Sequence, residues 1–227
     1  MGTLSIVATP IGNLEDMTLR ALRTLKECDV IYAEDTRVIS KLLARYEIKK
    51  QLQRLDAATE LKKADEIIAR LEAGERVAYV SDAGTPGISD PGARLVAAVR
   101  EDVARRGLAI KIEAIPGSSA LTAALSIAGL GADAFTFLGF LPHKKGRQTA
   151  LKKLAESEIP VVLYESPHRV LKLLEELVQH QVLHITIARE LTKIHEEVVS
   201  GTPGEVSAHF VAHPDAVRGE FVVIIEP

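Results

Sequence analysis

A chain of 227 residues with 47% hydrophobic side chains is long enough for one large domain or two small ones around a substantial core. Its 28 lysines and arginines against 31 aspartates and glutamates, a net charge of −3, exclude a protein that coats nucleic acid by bulk charge, so any RNA contact must be local. The single cysteine, Cys28, excludes an internal disulfide; with no charged segment ahead of an apolar one at Met1-Gly2-Thr3-Leu4, the chain reads as cytoplasmic.

Apolar runs alternate with helical patterns from the start. Residues 4–8 read as a strand, 18–26 as a helix, 30–33 as a strand, 38–46 as a helix, 52–57 as a weak strand and 61–73 as a helix, which is a βαβα pattern. A strand at 77–80, a helix at 91–106 and a strand at 109–115 complete a five-stranded, mostly parallel sheet. The uncharged stretch 114–132 is nominally long enough to cross a bilayer, but Pro116, Gly117, Ser118, Ser119 and Thr122 make it a buried helix instead. The remainder alternates in the same way: helix 118–128, strand 135–139, helix 147–156, strand 161–164, helix 167–180, strand 184–189, strand 198–199, helix 205–212 and strand 221–225. The expectation is an α/β protein of two units, 1–115 and 116–227.

Polar residues collect just after the carboxyl ends of the strands, where open α/β sheets bind ligands. The most informative is Val80-Ser81-Asp82-Ala83-Gly84-Thr85-Pro86-Gly87-Ile88-Ser89-Asp90-Pro91-Gly92. It is longer than the roughly 2–6 residues of an ordinary strand-to-helix turn, its glycines let backbone amides approach a ligand, and Asp82 offers a fixed carboxylate. Asp90 is positioned to cap the next helix with Pro91 in its first turn. The spacing matches neither G-x-G-x-x-G nor the phosphate-loop pattern, which disfavours dinucleotides and nucleoside triphosphates.

Thr9-Pro10-Ile11-Gly12-Asn13-Leu14 follows the first strand, and Glu34-Asp35-Thr36-Arg37 follows the second, where Thr36 is a candidate cap and Arg37 the surplus charge. The linker Pro116-Gly117-Ser118-Ser119-Ala120 places hydroxyls at a helix start. Later come Glu165-Ser166-Pro167-His168-Arg169, with Ser166 as a cap, and Arg189-Glu190-Leu191-Thr192-Lys193. These turns supply candidate acids, bases and phosphate contacts: Glu34, Asp35, Arg37, Glu165, His168, Arg189, Glu190 and Lys193. A run holding Lys144, Lys145, Arg147, Lys152 and Lys153 and no acid is either an exposed helix face or a grip on RNA phosphates. No metal-ligand spacing and no nucleophile elbow stands out.

These segments, together with Ser89-Asp90-Pro91-Gly92, Gly139-Phe140-Leu141-Pro142 and Tyr164-Glu165, resemble the tetrapyrrole methylase fold family nearly end to end, and within it the branch that methylates ribose hydroxyls of small-subunit rRNA. The resemblance implies two α/β domains with S-adenosyl-L-methionine in the cleft between them, a homodimer, and transfer of a methyl group to the 2′-hydroxyl of a cytidine in the decoding region. It further implies cofactor contacts from Pro10, Asp82, Ala83, Gly84, Thr85, Ile88, Ser119, Ala120, Tyr164, Gly219 and Glu220, and RNA contacts from Lys144, Lys145, Arg147 and Arg169. A base, or a cation that steadies the developing alkoxide, belongs among the eight candidates above.

The pattern departs from the family at Ala58-Thr59-Glu60, where a His-Asn-Glu-like run is expected; Glu60 is the one residue there left to contact substrate. It also ends soon after the strand at 221–225, short of a helical extension. The competing functions are a small-molecule methylase on the same fold, which needs an apolar trough in place of a basic rim, and a non-catalytic module, which binds cofactor without turnover.

Overall fold

The computed structural model describes residues 1–227 and divides them into two compact units, Met1–Ser119 and Ala120–Pro227. In the first, apolar, largely β-branched runs form β1 (Gly2–Val7), β2 (Val30–Ala33), β4 (Arg76–Val80) and β5 (Ile110–Ile115), while the polar β3 (Gln51–Arg54) lies at the edge. They make one sheet in the order β3-β2-β4-β1-β5, parallel at every pairing. Every residue of β2 and the last four of β4 are buried, as expected of strands covered on both faces. The side chains alternate between two cores. Val7, Ile31 and Val80 pack with α1 (Leu19–Glu27) and α2 (Thr36–Arg45), while Leu4, Tyr32 and Tyr79 pack with α3 (Glu60–Glu72) and α4 (Ala93–Arg106). Parallel strands with helices on both faces bring every strand-end loop to one edge.

The helix starts differ from the sequence expectation in instructive ways. α4 begins at Ala93 instead of Pro91, because the Gly87 amide donates to the Pro91 carbonyl at 3.0 Å and keeps Pro91 in the loop. Its N-cap residue, Gly92, has no side chain to cap it. Glu60, 3% exposed, reaches from the start of α3, and its Oε1 accepts from the Gly92 and Leu95 amides at 2.6 and 3.3 Å. Glu60 is therefore a structural cap, and the substrate contact expected of it is replaced by that buried role. Ala58 and Thr59 close a turn on Asp56, whose Oδ1 accepts from both amides at 3.1 and 3.0 Å. For α2 the cap is Asp35, not Thr36: its Oδ1 accepts from the Arg37 amide at 2.8 Å.

The second unit comprises α5 (Ala120–Ile127), β6 (Thr136–Phe140), α6 (Arg147–Ala155), β7 (Val161–Glu165), α7 (Val170–Gln179), β8 (His184–Arg189), β9 (Glu197–Gly201), α8 (Pro203–Ala212) and β10 (Phe221–Glu226). Its sheet runs β6-β7-β10-β8-β9, with β6 and β7 parallel and the other pairs antiparallel. Leu151, Leu163, Leu173, Ile187, Phe210 and Phe221 anchor its core. α7 starts at Val170, three residues later than the 167–180 reading, because residues 166–169 form a separate turn closed on the Ser166 carbonyl. α8 carries a capping box between Thr202 and Glu205. The uncharged stretch resolves into the end of β5, a loop and an eight-residue α5, and no helix is long and apolar enough to cross a membrane.

Glu60→Ala strips a buried carboxylate from the start of α4 and leaves two buried amides without an acceptor. It is expected to lower unfolding stability by about 2–3 kcal/mol; a urea midpoint equal to wild type would show that Glu60 does not hold α4.

Candidate functional site

Three loops at the strand ends of the first unit are joined through their backbones. The Thr9 amide donates to the Gly84 carbonyl at 2.9 Å and the Gly84 amide to the Thr9 carbonyl at 3.0 Å, forming a bridge between the loops that follow β1 and β4. The Thr9 hydroxyl also donates to the Ser81 carbonyl at 3.3 Å. Between the segments after β2 and β4, the Asp35 amide donates to Asp82 Oδ1 at 2.9 Å and the Glu34 amide to the Val80 carbonyl at 3.4 Å. The Thr85 hydroxyl donates to the Ser118 carbonyl at 3.1 Å, which ties the residues just past β5 to the same loop.

Closing so tight a loop requires left-handed backbone. Gly84 has φ +79° and Gly87 φ +83°, and even Ser89 stands at φ +64°. A Cβ on Gly84 would meet Ile11 Cγ2 at 3.3 Å. The amides of Ala83 and Thr85 have no hydrogen-bond acceptor in the chain and remain available to a ligand. Ile88 is exposed, and Pro10 is buried beside Thr9.

The two neighbouring acids are tuned in opposite directions. Arg37 grips Asp35 through several hydrogen bonds, including Nη2 to Oδ2 at 2.5 Å, and holds that carboxyl well below the usual carboxylate range. For Glu34, burial first and then the like charges of Asp82 and Asp90 raise the pKa above its ordinary value.

In the second unit, the Tyr164 hydroxyl at the end of β7 accepts from the Leu121 amide at 3.1 Å and so holds the start of α5, next to Ala120. Tyr164 also packs edge-on against Phe137 and Phe140, with ring centroids 5.0 and 5.7 Å away. After β8, Glu190 and Thr192 adopt positive φ of 48° and 65°. The Glu190 amide donates to the Glu220 carbonyl at 3.2 Å, and its carboxylate lies so close to Gly219 that a Cβ there would overlap it at 1.7 Å. Lys193 Nζ donates to Glu190 Oε1 at 2.8 Å, whereas Arg189 pairs with Glu197 at 2.7 Å and Glu197 in turn with His209 at 2.9 Å. Glu190 with Lys193, and Arg189 with Glu197 and His209, thus form two separate groups after β8, and His168 is exposed on the turn before α7.

The basic run divides in two. Lys144 and Lys145 are exposed, but Arg147 is 5% exposed and departs from the run: its guanidinium binds Glu176 of α7, Nη2 to Oε2 at 2.6 Å. Arg169 is fixed as well, donating to the Leu141 carbonyl at 2.8 Å and lying 3.2 Å from Glu165 Oε1. Glu165 is buried; Oε1 accepts the Ser166 amide at 2.9 Å, while Oε2 has no hydrogen bond and only Arg147 at 3.9 Å. Arg147 and Arg169 are therefore placed as internal ion-pair partners. The sequence pattern missed Glu176, because its partner lies 29 positions away across another element.

Residues 3–207 match the family described as Tetrapyrrole (Corrin/Porphyrin) Methylases. The chain is 45% identical, over 99% of its length and 98% of the relative's, to ribosomal RNA small subunit methyltransferase I of Thermotoga maritima. It is 43% identical to the protein of that name from Neisseria meningitidis serogroup A, over the whole chain and 76% of the relative. Among solved structures, the methyltransferase CobJ shares the fold, with a TM-score of 0.71 over the whole chain and 94% of CobJ at 21% identity.

Two outcomes test this geometry. Glu176→Ala leaves Arg147 buried without its counter-charge and is expected to cost about 3–5 kcal/mol in denaturant unfolding, whereas replacing both residues with apolar ones of similar volume costs far less; equal losses would remove the ion pair as the cause. Glu34 binds its proton more tightly in the folded than in the unfolded chain. Its ionisation therefore destabilises, and stability falls as pH rises from its ordinary pKa, near 4.5, through its raised one. Glu34→Gln should gain on wild type across that window, and parallel stability curves from pH 4 to 7 would refute the assignment.

Proposed function

The chain belongs to the tetrapyrrole methylases and, among them, to the ribosomal RNA small subunit methyltransferase I family, and from that membership we propose that this methyltransferase modifies the 2′-hydroxyl of a cytidine ribose in the decoding region of small-subunit rRNA. The cofactor is S-adenosyl-L-methionine, which when bound supplies a methyl group already activated on a sulfonium. The loop 81–92 fits such a ligand, since its left-handed glycines remove side-chain bulk and leave the Ala83 and Thr85 amides open. In the first unit the assigned contacts are Pro10, Asp82, Ala83, Gly84, Thr85, Ile88 and Ser119; in the second they are Ala120, Tyr164, Gly219 and Glu220.

With the methyl group activated beforehand, the protein contributes placement, roughly 7–11 kcal/mol at best, and a destination for the ribose proton. We assign that proton to Glu34. The observation that carries this assignment is the place of Glu34, next to Asp35, whose amide donates to Asp82 Oδ1 of the cofactor loop at 2.9 Å, where burial and the charges of Asp82 and Asp90 raise the proton affinity of Glu34. The other acids are committed: Asp35 to Arg37, Glu165 to Arg169 and the Ser166 amide, Glu190 to Lys193. Lys144 and Lys145 are the RNA contacts of the second unit, with Arg147 and Arg169 holding the loop that presents them.

The decisive assay incubates the protein with methyl-labelled cofactor and small ribosomal subunits that lack the modification, then locates the label by nuclease digestion and mass spectrometry. Label on a single cytidine ribose is expected; label on a base, or transfer only to a tetrapyrrole, overturns the reading. Asp82→Ala should weaken cofactor binding at least tenfold, about 1.4 kcal/mol, by calorimetry. Glu34→Gln should lower kcat by roughly 10²–10⁴ with cofactor affinity unchanged, and a kcat within a factor of about three of wild type would assign the proton elsewhere.

A further inference from the structure

Residues 37–54 carry six basic side chains, Arg37, Lys41, Arg45, Lys49, Lys50 and Arg54, against one acid, Glu47, in a chain whose net charge is −3. That local excess of five positive charges has an ordered shape. On α2, Ile39, Leu42 and Leu43 face the core, which leaves Arg37, Lys41 and Arg45 at i, i+4 and i+8 as a single stripe down the outer face. Successive cations are separated by about 6 Å along the helix axis. The stripe begins at the loop that holds Glu34 and ends at the turn leading into β3, where Lys49 and Lys50 continue it.

β3 is the edge strand of its sheet, and its outer backbone is unpaired by any other strand. Between α2 and this edge lies a groove of about 780 Å³ whose walls include Ser40, Ala44, Leu52, Lys49 and Lys50 and the segment's one acid, Glu47. Outside this segment many arginines are neutralised: Arg70 and Arg76 pair with glutamates, Arg105 and Arg106 with Asp102, Arg147 with Glu176, Arg169 with Glu165 and Arg189 with Glu197, while the unpaired ones, Arg20, Arg23, Arg94 and Arg100, lie on α1 and α4. Here Arg37 and Arg54 are paired, with Asp35 and Asp56, while Lys41, Arg45, Lys49 and Lys50 have no carboxylate within 4.0 Å. Guarding an edge strand against pairing with another sheet needs only one or two charges on the strand itself. It does not require a cationic stripe along the neighbouring helix.

We propose that the outer face of α2 and the β3 edge form an RNA-backbone track, on which Lys41, Arg45, Lys49 and Lys50 contact successive phosphates of an rRNA strand that runs to the Glu34 loop. The inference rests on the proposed rRNA substrate and adds a surface in the first unit, separate from the Lys144–Lys145 contact of the second. Polyanion recognition follows from unneutralised, regularly spaced cations. The groove beside them offers room for a nucleotide.

The test compares wild type with K41A/R45A/K49A/K50A, four exposed or half-exposed side chains with no ion pair to break. Binding to unmodified small ribosomal subunits is measured by co-sedimentation at several salt concentrations, with cofactor affinity measured in parallel. The quadruple variant should bind subunits at least tenfold more weakly, and the slope of log affinity against log salt should fall by about 3, with cofactor affinity unchanged. A control that removes four exposed cations elsewhere, K26A/K62A/R100A/K172A, should leave the slope near that of wild type. Equal slopes for wild type and the quadruple variant, or an equal loss in the control, overturn the track. Wild type that binds subunits with the predicted slope yet transfers no methyl group would instead overturn the catalytic reading, so the two failures are separable.

Discussion

The interaction on which the first unit depends is the backbone stitching at the carboxyl ends of its parallel strands. A parallel sheet ends in loops whose amides and carbonyls have no ladder to join, and each must find a partner or a ligand. Here the partners are other loops and strand ends: Thr9 and Gly84 exchange two bonds, and the Asp35 and Glu34 amides donate two more, to Asp82 and Val80, across β2 and β4. Three strand ends become one rigid rim. The positive φ at Gly84 and Gly87 is the conformational cost of that closure, and it is why the loop is built of small residues.

The distribution of charge follows the same economy. Most guanidinium groups are committed to carboxylates, Arg147 and Arg189 buried in their pairs, so they hold elements together and contribute little to the outer field. Arg147 shows this clearly: a buried arginine on α6 fastens α7 through Glu176 and stands beside the unsatisfied oxygen of Glu165. What faces outward with uncompensated charge is chiefly lysine, a compact and strongly hydrated cation suited to contacts with phosphate that form and break. A net charge of −3 conceals this local pattern, because the acids that balance it sit elsewhere.

Periodicity and turn chemistry made most elements legible. The strands at β2 and β8 fall where their apolar runs place them, and the α/β architecture follows from the alternation. Boundaries that depend on distant partners were not legible. α4 starts late because its cap is Glu60, 32 positions earlier, and α7 starts late because Ser166 closes a turn of its own. The antiparallel pairings of the second unit likewise depend on which strands become neighbours, and order along the chain does not encode that. The candidate loops were visible as polar residues after strands, but which of their side chains are already committed was not. A run of basic residues reads the same whether its arginine points to water or, like Arg147, to a buried glutamate.

The rim and the cluster of acids on it set function against stability. Rigid loops suit a reaction in which the leaving group is activated beforehand and the remaining barrier lies in alignment. A proton acceptor must also be basic enough to matter at neutral pH, and a solvated glutamate is a weak base. Burial and the nearby charges of Asp82 and Asp90 raise the proton affinity of Glu34, and the same burial and repulsion make its ionised form costly to the fold. Asp35, one residue away, shows the opposite choice: paired with Arg37 it stabilises the loop and is too acidic to accept a proton. On the proposed assignment, neighbouring carboxylates divide two tasks, one holding the loop and the other taking the proton, and a chain selected for stability alone would neutralise both.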